Sequence, residues 1–290
     1  MDLACTENLA STCRAERDRA IFEDGRVINN LLNDEVFAIP KCDYFQTVQN
    51  DIQPFMRKVV TTWMLEVCEE QMCEDQVLPL AINIMDRFLC ICCIKRQQLQ
   101  LLGATCLLIA SKLRSTNMLP IDLLCAYTDY SVTTLHIMSW ELLVLSKLQW
   151  NVSAVTGFDY IDQVIERCNW GSENSLLRRH AHTLVSICYT EPSLIQTPPS
   201  VISAACIASA ARGLKLTSAD TAVLETCAML NVALRSVEYL VTVIDSAVAS
   251  MASPQQPQKQ EQKTVSTQQG YESPQYGQPE TPTEVENIYF

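Results

Sequence analysis

The chain is short of glycine, short of histidine, and without a long unbroken apolar run. Glycine appears seven times and histidine three times in 290 residues. Few glycines leave little material for the tight turns of hairpin-rich β proteins. Three histidines, at His136, His180 and His182, give few candidates for general acid–base work. His180 and His182 are two apart, so on a helix they face different ways. No HExxH, P-loop or G-x-G-x-x-G occurs. No stretch approaches the eighteen apolar residues that a membrane helix requires, so no membrane partner is expected. Positive charge is also scarce: 21 Lys and Arg stand against 33 Asp and Glu, a formal net charge of −12. That balance argues against nucleic acid as the main partner. Charged residues interrupt the first twenty-odd positions, and no secretory leader is expected there.

What is abundant is apolar and helical. Hydrophobic residues make up 48% of the chain, enough for a large core and two domains of ordinary size. There are fourteen cysteines, many within apolar helical stretches, such as Cys68, Cys106, Cys188 and Cys206. They read as small buried hydrophobes of a reducing compartment. Cys90 and Cys93 form a C-x-x-C, but no second pair has matching spacing, so no metal is expected. No cofactor is expected either. Paired carboxylates such as Glu69 and Glu70 read as a solvated face.

Helical periodicity orders the chain. Residues 1–25 read as a charged, flexible arm, and a short helix is predicted near Val27–Phe37. From Pro54, the residues Met56, Val59, Val60, Trp63, Met64 and Val67 recur at i, i+3, i+4, i+7, i+8 and i+11. Helices follow near 75–92, 97–113, 120–127 and 133–148. The 97–113 segment is apolar on nearly every side, as a helix surrounded by others must be. The pattern then recurs near 156–167, 173–188, 199–212, 219–230 and 235–251. Residues 199–212 again have apolar residues all round, about one hundred residues after the first such helix. The fold class is therefore all-α: two tandem five-helix bundles, at 26–152 and 153–251, each wrapped around its third helix. From 252 to 290 the composition shifts to Gln, Pro, Ser, Thr and Glu, which predicts a disordered tail.

Two motifs lie at the ends. Leu3, Cys5 and Glu7 spell L-x-C-x-E, and at period two all three point one way from an extended strand. The tail carries Ser253-Pro254, Ser273-Pro274 and Thr281-Pro282, all proline-directed phosphosite candidates.

Several segments together resemble the cyclin box, and the D-type cyclins in particular. They are Met56 to Glu70, with Arg57, Val60, Trp63 and Met64 in spaced positions; Ile84-Met85-Asp86-Arg87-Phe88; and Leu101 to Cys106 with Ala110-Ser111-Lys112. The likeness is strong from about Leu31 to Trp150, fades in the second bundle and returns at the C-terminus. It implies two tandem cyclin-box bundles and a non-catalytic, activating subunit of cyclin-dependent kinases four and six, acting at the G1/S transition in nucleus and cytoplasm. By the resemblance, Lys112 and Glu141 contact the kinase, with Leu113, Leu145 and Trp150 as the apolar part. Met56, Val59, Val60 and Trp63 resemble a patch that captures Arg-x-Leu motifs of substrates and kinase-inhibitor proteins, with Glu66 meeting the arginine. Met56, Val60 and Trp63 are expected to be partly exposed, and the patch shallow. Arg57 and Asp86 are expected to form a buried ion pair. Leu3-x-Cys5-x-Glu7 resembles the peptide that docks on retinoblastoma-family proteins. Glu280 to Val285 resembles the D-type terminal segment, where phosphorylation at Thr281 would recruit a ubiquitin ligase. A two-bundle transcription factor of the same fold would need a basic face and a zinc ribbon. A kinase-independent adaptor would keep its partners after charge reversal at Lys112. An enzyme would need a constellation that the sequence lacks.

Overall fold

The computed structural model describes residues 18–252, and among them there is no β-strand. Thirteen helices run in chain order: α1 (Arg19–Glu23), α2 (Arg26–Ala38), α3 (Tyr44–Thr47), α4 (Pro54–Glu70), α5 (Val77–Leu89), α6 (Leu99–Arg114), α7 (Ile121–Tyr127), α8 (Thr134–Lys147), α9 (Gly157–Arg167), α10 (Leu176–Thr190), α11 (Pro199–Gly213), α12 (Ala219–Met229) and α13 (Leu234–Ala252). Helices α4–α8 form one bundle and α9–α13 a second, so the all-α architecture of two five-helix units stands. Two short helices escaped the sequence reading. The arm assigned to 1–25 contains α1, and α3 lies in what looked like a connection. Both are about one turn long, too short to show periodicity, and each starts at an aspartate cap, Asp18 or Asp43.

Local chemistry explains the boundaries. Proline occupies the first turn of α4 and α11, where no amide partner is needed. Thr156 and Asp159 close a capping box on α9, with Asp159 Oδ2 accepting from the Thr156 amide at 2.7 Å. With glycine scarce, the helix ends turn on other residues. Met72, Asp129, Gln149, Lys215 and Asn231 all have φ between 47° and 54°. Each follows a helix in a hydrogen-bonded terminal loop, such as Trp150 N–H to Leu145 O at 2.8 Å.

Each bundle closes around its third helix. In α6, Leu102, Ala104, Cys106, Leu107 and Ala110 are fully buried. In α11 the corresponding residues are small, among them Ala205, Cys206, Ala208 and Ala211. Small side chains let α9, α10 and α13 approach α11 closely.

The bundles are joined by polar links. Arg57 of α4 and Asp86 of α5 form the expected buried pair, with Nε to Oδ1 at 2.9 Å and Nη2 to Oδ2 at 2.7 Å. Tyr44 donates its hydroxyl to the same Asp86 at 2.8 Å. Arg57 also donates to the carbonyls of Thr190 (3.0 Å) and Tyr189 (2.9 Å) at the end of α10. Those carbonyls lack partners within their own helix, and a cation there also suits the helix dipole. Lys58 adds contacts to Glu191 and to Thr190 Oγ1.

Helix α2 straddles both units. Its Ile28 is buried in the second core, against which Leu31 and Leu32 pack, whereas Ala38 belongs to the first. Buried Glu35 accepts from Tyr160 Oη (2.9 Å), Ser200 N (2.8 Å) and Ser200 Oγ (2.8 Å), and so caps α11 from a distance.

Candidate functional site

Helix α6 is buried for most of its length and surfaces only at its end. Lys112 emerges there and meets Glu141 of α8, Nζ to Oε1 at 2.5 Å. The lysine side chain is 38% exposed and the glutamate 19%. An ion pair this open contributes only about 0–1 kcal/mol, so it is not what holds the bundle together. Leu113 beside it is exposed, and Trp150 is 66% exposed. Leu145 is half-buried, and the terminal loop of α8 brings it to Trp150. The five residues singled out by sequence thus share the end of α6 and the outer part of α8.

Sequence reasoning missed three more. Leu135, Met138 and Leu142 are exposed on α8, while Ile137 and Val144 are buried on its other side. The signal was present, because the 133–148 stretch is apolar on more than one face. Apolar side chains exposed along one helix face make that face a candidate interaction surface. Beside this region a groove of about 320 Å³ runs between α2 and the connection to α9. Phe37, Arg114, Asn151 and Asp159 line it, and Arg114 and Asp159 pair across it at 3.5 Å.

The second candidate surface lies on α4. Met56 and Trp63 are half-buried, Val59 is 37% exposed and Glu66 is exposed. These four follow one another at spacings of three and four, so they form one stripe. Val60 does not belong to it. It was expected to be partly exposed, and it is 1% exposed. It faces α6 at Gly103, where an added Cβ would come within 3.0 Å of Val60 Cγ1 and 3.5 Å of Trp63. Glycine at 103 lets the helices close, and Val60 is the residue that fills the contact. Phe55, exposed at the start of α4, adds apolar surface that the sequence reading overlooked.

Relatives decide the family. Residues 26–153 match the domain described as "Cyclin, N-terminal domain", and residues 155–281 match "Cyclin, C-terminal domain". The chain is 45% identical over 222 residues to G1/S-specific cyclin-D2 of Xenopus laevis, covering 76% of each. It is 43% identical over 215 residues to human G1/S-specific cyclin-D3, covering 74% of each. To bovine G1/S-specific cyclin-D1 it is 43% identical over 219 residues, 75% of this chain and 74% of the relative. The chain belongs to the cyclin family, in its D-type branch. The fold is also that of a viral cyclin from herpesvirus saimiri, with a TM-score of 0.69 at 24% identity, over 77% of this chain and 97% of that one. As a D-type cyclin it is a regulatory chain of the G1/S class and not itself a catalyst.

In this cyclin two of the three histidines lie on the surface and one is buried. His136 and His180 are exposed. His182 is buried, stacked on Phe158 with ring centroids 4.0 Å apart. Its nitrogens lie 3.4 Å from Asp162 of α9 and 3.6 Å from Asp75 of the α4–α5 connection. Burial works against its charged form, but the two carboxylates outweigh it and raise the imidazole above its ordinary value. Among the described residues, no group of three or more His, Cys, Asp or Glu is placed to hold a metal ion, and no helix is long and apolar enough to cross a membrane. Leu3, Cys5, Glu7 and Thr281 lie outside the described residues, as do Ser253 and Ser273.

Proposed function

We propose that this D-type cyclin is the activating subunit of cyclin-dependent kinases, those numbered four and six. The observation that carries the proposal is the face around Lys112 and Glu141. It joins an exposed ion pair to the exposed side chains of Leu113, Leu142 and Trp150. An apolar surface with a charged centre suits an amphipathic helix laid across it. A kinase is active when its β3 lysine pairs with the glutamate of its αC helix. A rigid bundle that binds αC in that position makes the active arrangement the favoured one.

Other contacts follow from the family resemblance. The stripe of Met56, Val59, Trp63 and Glu66 would take Arg-x-Leu segments of substrates and kinase-inhibitor proteins, with Glu66 facing the arginine. Leu3, Cys5 and Glu7 would dock on retinoblastoma-family proteins. Phosphorylation of Thr281 would mark the chain for a ubiquitin ligase, and the protein would work in both nucleus and cytoplasm.

The test is capture of the two kinases by the full chain, with Lys112→Glu beside it, followed by phosphorylation of a retinoblastoma-protein fragment. Wild-type capture and activity, both lost in Lys112→Glu, is the expected result. An unaffected variant would move the interface elsewhere. No capture by a folded wild-type chain would overturn the proposal. Because the ion pair contributes little to stability, the substitution leaves the fold intact.

A further inference from the structure

The end of α4 sets two cysteines side by side. Cys73 N–H donates to the Cys68 carbonyl at 2.9 Å, and Met72 N–H donates to Glu69 at 3.1 Å. Met72 between them is left-handed, with φ 47°. This is a Schellman cap, in which the residues at the two ends of the longer bond commonly touch through apolar side chains. Here both are cysteines: Cys68 belongs to the first core and Cys73 packs against that core. Cys68 is buried and Cys73 is partly open to solvent.

We propose that Cys68 and Cys73 are a peroxide-sensitive dithiol, in which a hydroperoxide oxidises Cys73 and Cys68 then closes a disulfide across the helix cap. Cys73 is the attacking group because it is the accessible one of the pair. Interaction with the neighbouring Cys68 thiol holds Cys73 below its ordinary range despite partial burial, and the same interaction together with burial raises Cys68. In the first step the Cys73 sulfur bonds to one peroxide oxygen as the O–O bond breaks. The departing oxygen leaves as water, and Cys73 becomes a sulfenic acid. In the second step the Cys68 sulfur attacks the Cys73 sulfur. An S–S bond forms, the S–O bond breaks, and the hydroxyl leaves with the Cys68 proton as water. Two thiols have lost two electrons and two protons, and hydrogen peroxide has become two waters. A dithiol reductant reverses the change.

Among the described residues, the other close cysteines do not combine these features. The Cys188 and Cys206 sulfurs are 3.7 Å apart but both residues are buried. Cys42 and Cys90 reach each other's carbonyls at 4.0 and 3.6 Å, yet burial pushes the Cys90 thiol up to about 12. Cys93 is exposed, with its sulfur 3.9 Å from the Asn50 amide. It is the natural control for reactivity that follows exposure alone.

The full chain is treated with hydrogen peroxide, the remaining thiols are blocked with N-ethylmaleimide, and tryptic peptides are weighed. Trypsin releases residues 59–87 as one peptide with only these two cysteines. The expected result is an unblocked peptide lighter by two hydrogens, formed roughly tenfold faster than oxidation of Cys93. In Cys68→Ser, a 1,3-dione should label Cys73 as its sulfenic acid. In Cys73→Ser, Cys68 should stay reduced. Cys93 oxidised first, with both cysteines of 59–87 still blocked, would overturn the proposal, as would wild-type oxidation of Cys68 in Cys73→Ser. The wild-type measurement decides the matter should either variant fail to fold.

Discussion

Arg57 reaches out of the first bundle to the carbonyl of Thr190, the last residue of α10, at 3.0 Å. The same guanidinium holds Asp86 by two hydrogen bonds, so one side chain fastens α4 to α5 and both to the second bundle. Arg57 is 1% exposed, and its removal would leave the buried Asp86 carboxylate unpaired in charge, with only the Tyr44 hydroxyl as donor, and the Tyr189 carbonyl without its arginine partner. Arg57→Ala should therefore lose about 3–5 kcal/mol of stability. Urea unfolding followed by circular dichroism measures it, and a loss below about 1 kcal/mol would mean that water replaces the arginine at no great cost.

Neighbouring valines on α4 should behave oppositely. Val60 is enclosed against Gly103, so Val60→Ala leaves a cavity and should cost about 2 kcal/mol. Val59 faces solvent, so Val59→Ala should change stability by no more than about 0.5 kcal/mol. Its effect should fall on an Arg-x-Leu peptide, weakened roughly fivefold, or about 1 kcal/mol. Thermal unfolding and peptide titration on both variants separate the two roles.

His182 makes the joint between bundles sensitive to pH. Its folded value lies above the ordinary 6.5, because Asp162 and Asp75 outweigh burial. The protonated form is thus the one the fold favours. Its contribution is fully present below pH 6.5 and is lost as pH rises through the folded value. Wild type should exceed His182→Gln in urea midpoint near pH 6, and the gap should narrow by pH 8.5. A gap that widens with pH would show that the neutral ring is the one bound.

Glu35 predicts how α2 is held. Replacing it with alanine strands the Ser200 amide, the Ser200 hydroxyl and the Tyr160 hydroxyl. The expected loss is about 1–3 kcal/mol. Because α2 is the element released, trypsin should cut at Arg26 faster in Glu35→Ala than in wild type. Equal rates would place the anchorage of α2 in Ile28 and its apolar neighbours instead.

Much of this architecture was readable from spacing. The two all-round apolar stretches became α6 and α11, because a helix with no polar face has to be enclosed. Most helix ends fell within a few residues of expectation, since Pro54 and Pro199 mark first turns. Lys112 and Glu141, singled out by the resemblance and not by spacing, touch although they are 29 positions apart. What spacing does not encode is which apolar residues of a helix face a neighbour and which face water. Val60 and Val59 are one residue apart and chemically identical, and only the approach of α6 at Gly103 separates them. Leu135, Met138 and Leu142 look like core in the sequence and lie on the surface.

The sequence by itself determined the helical class and the two repeats, through periodicity, and the family and the Arg57–Asp86 pair, through motifs that resemble the D-type cyclins. Only the tertiary structure decided that Arg57 also caps α10, that Glu35 caps α11 from 165 residues away, and that His182 sits between two carboxylates from different elements. Those contacts depend on where the second bundle lies against the first. That placement arises from the packing of many side chains at once, and no local pattern in the chain records it.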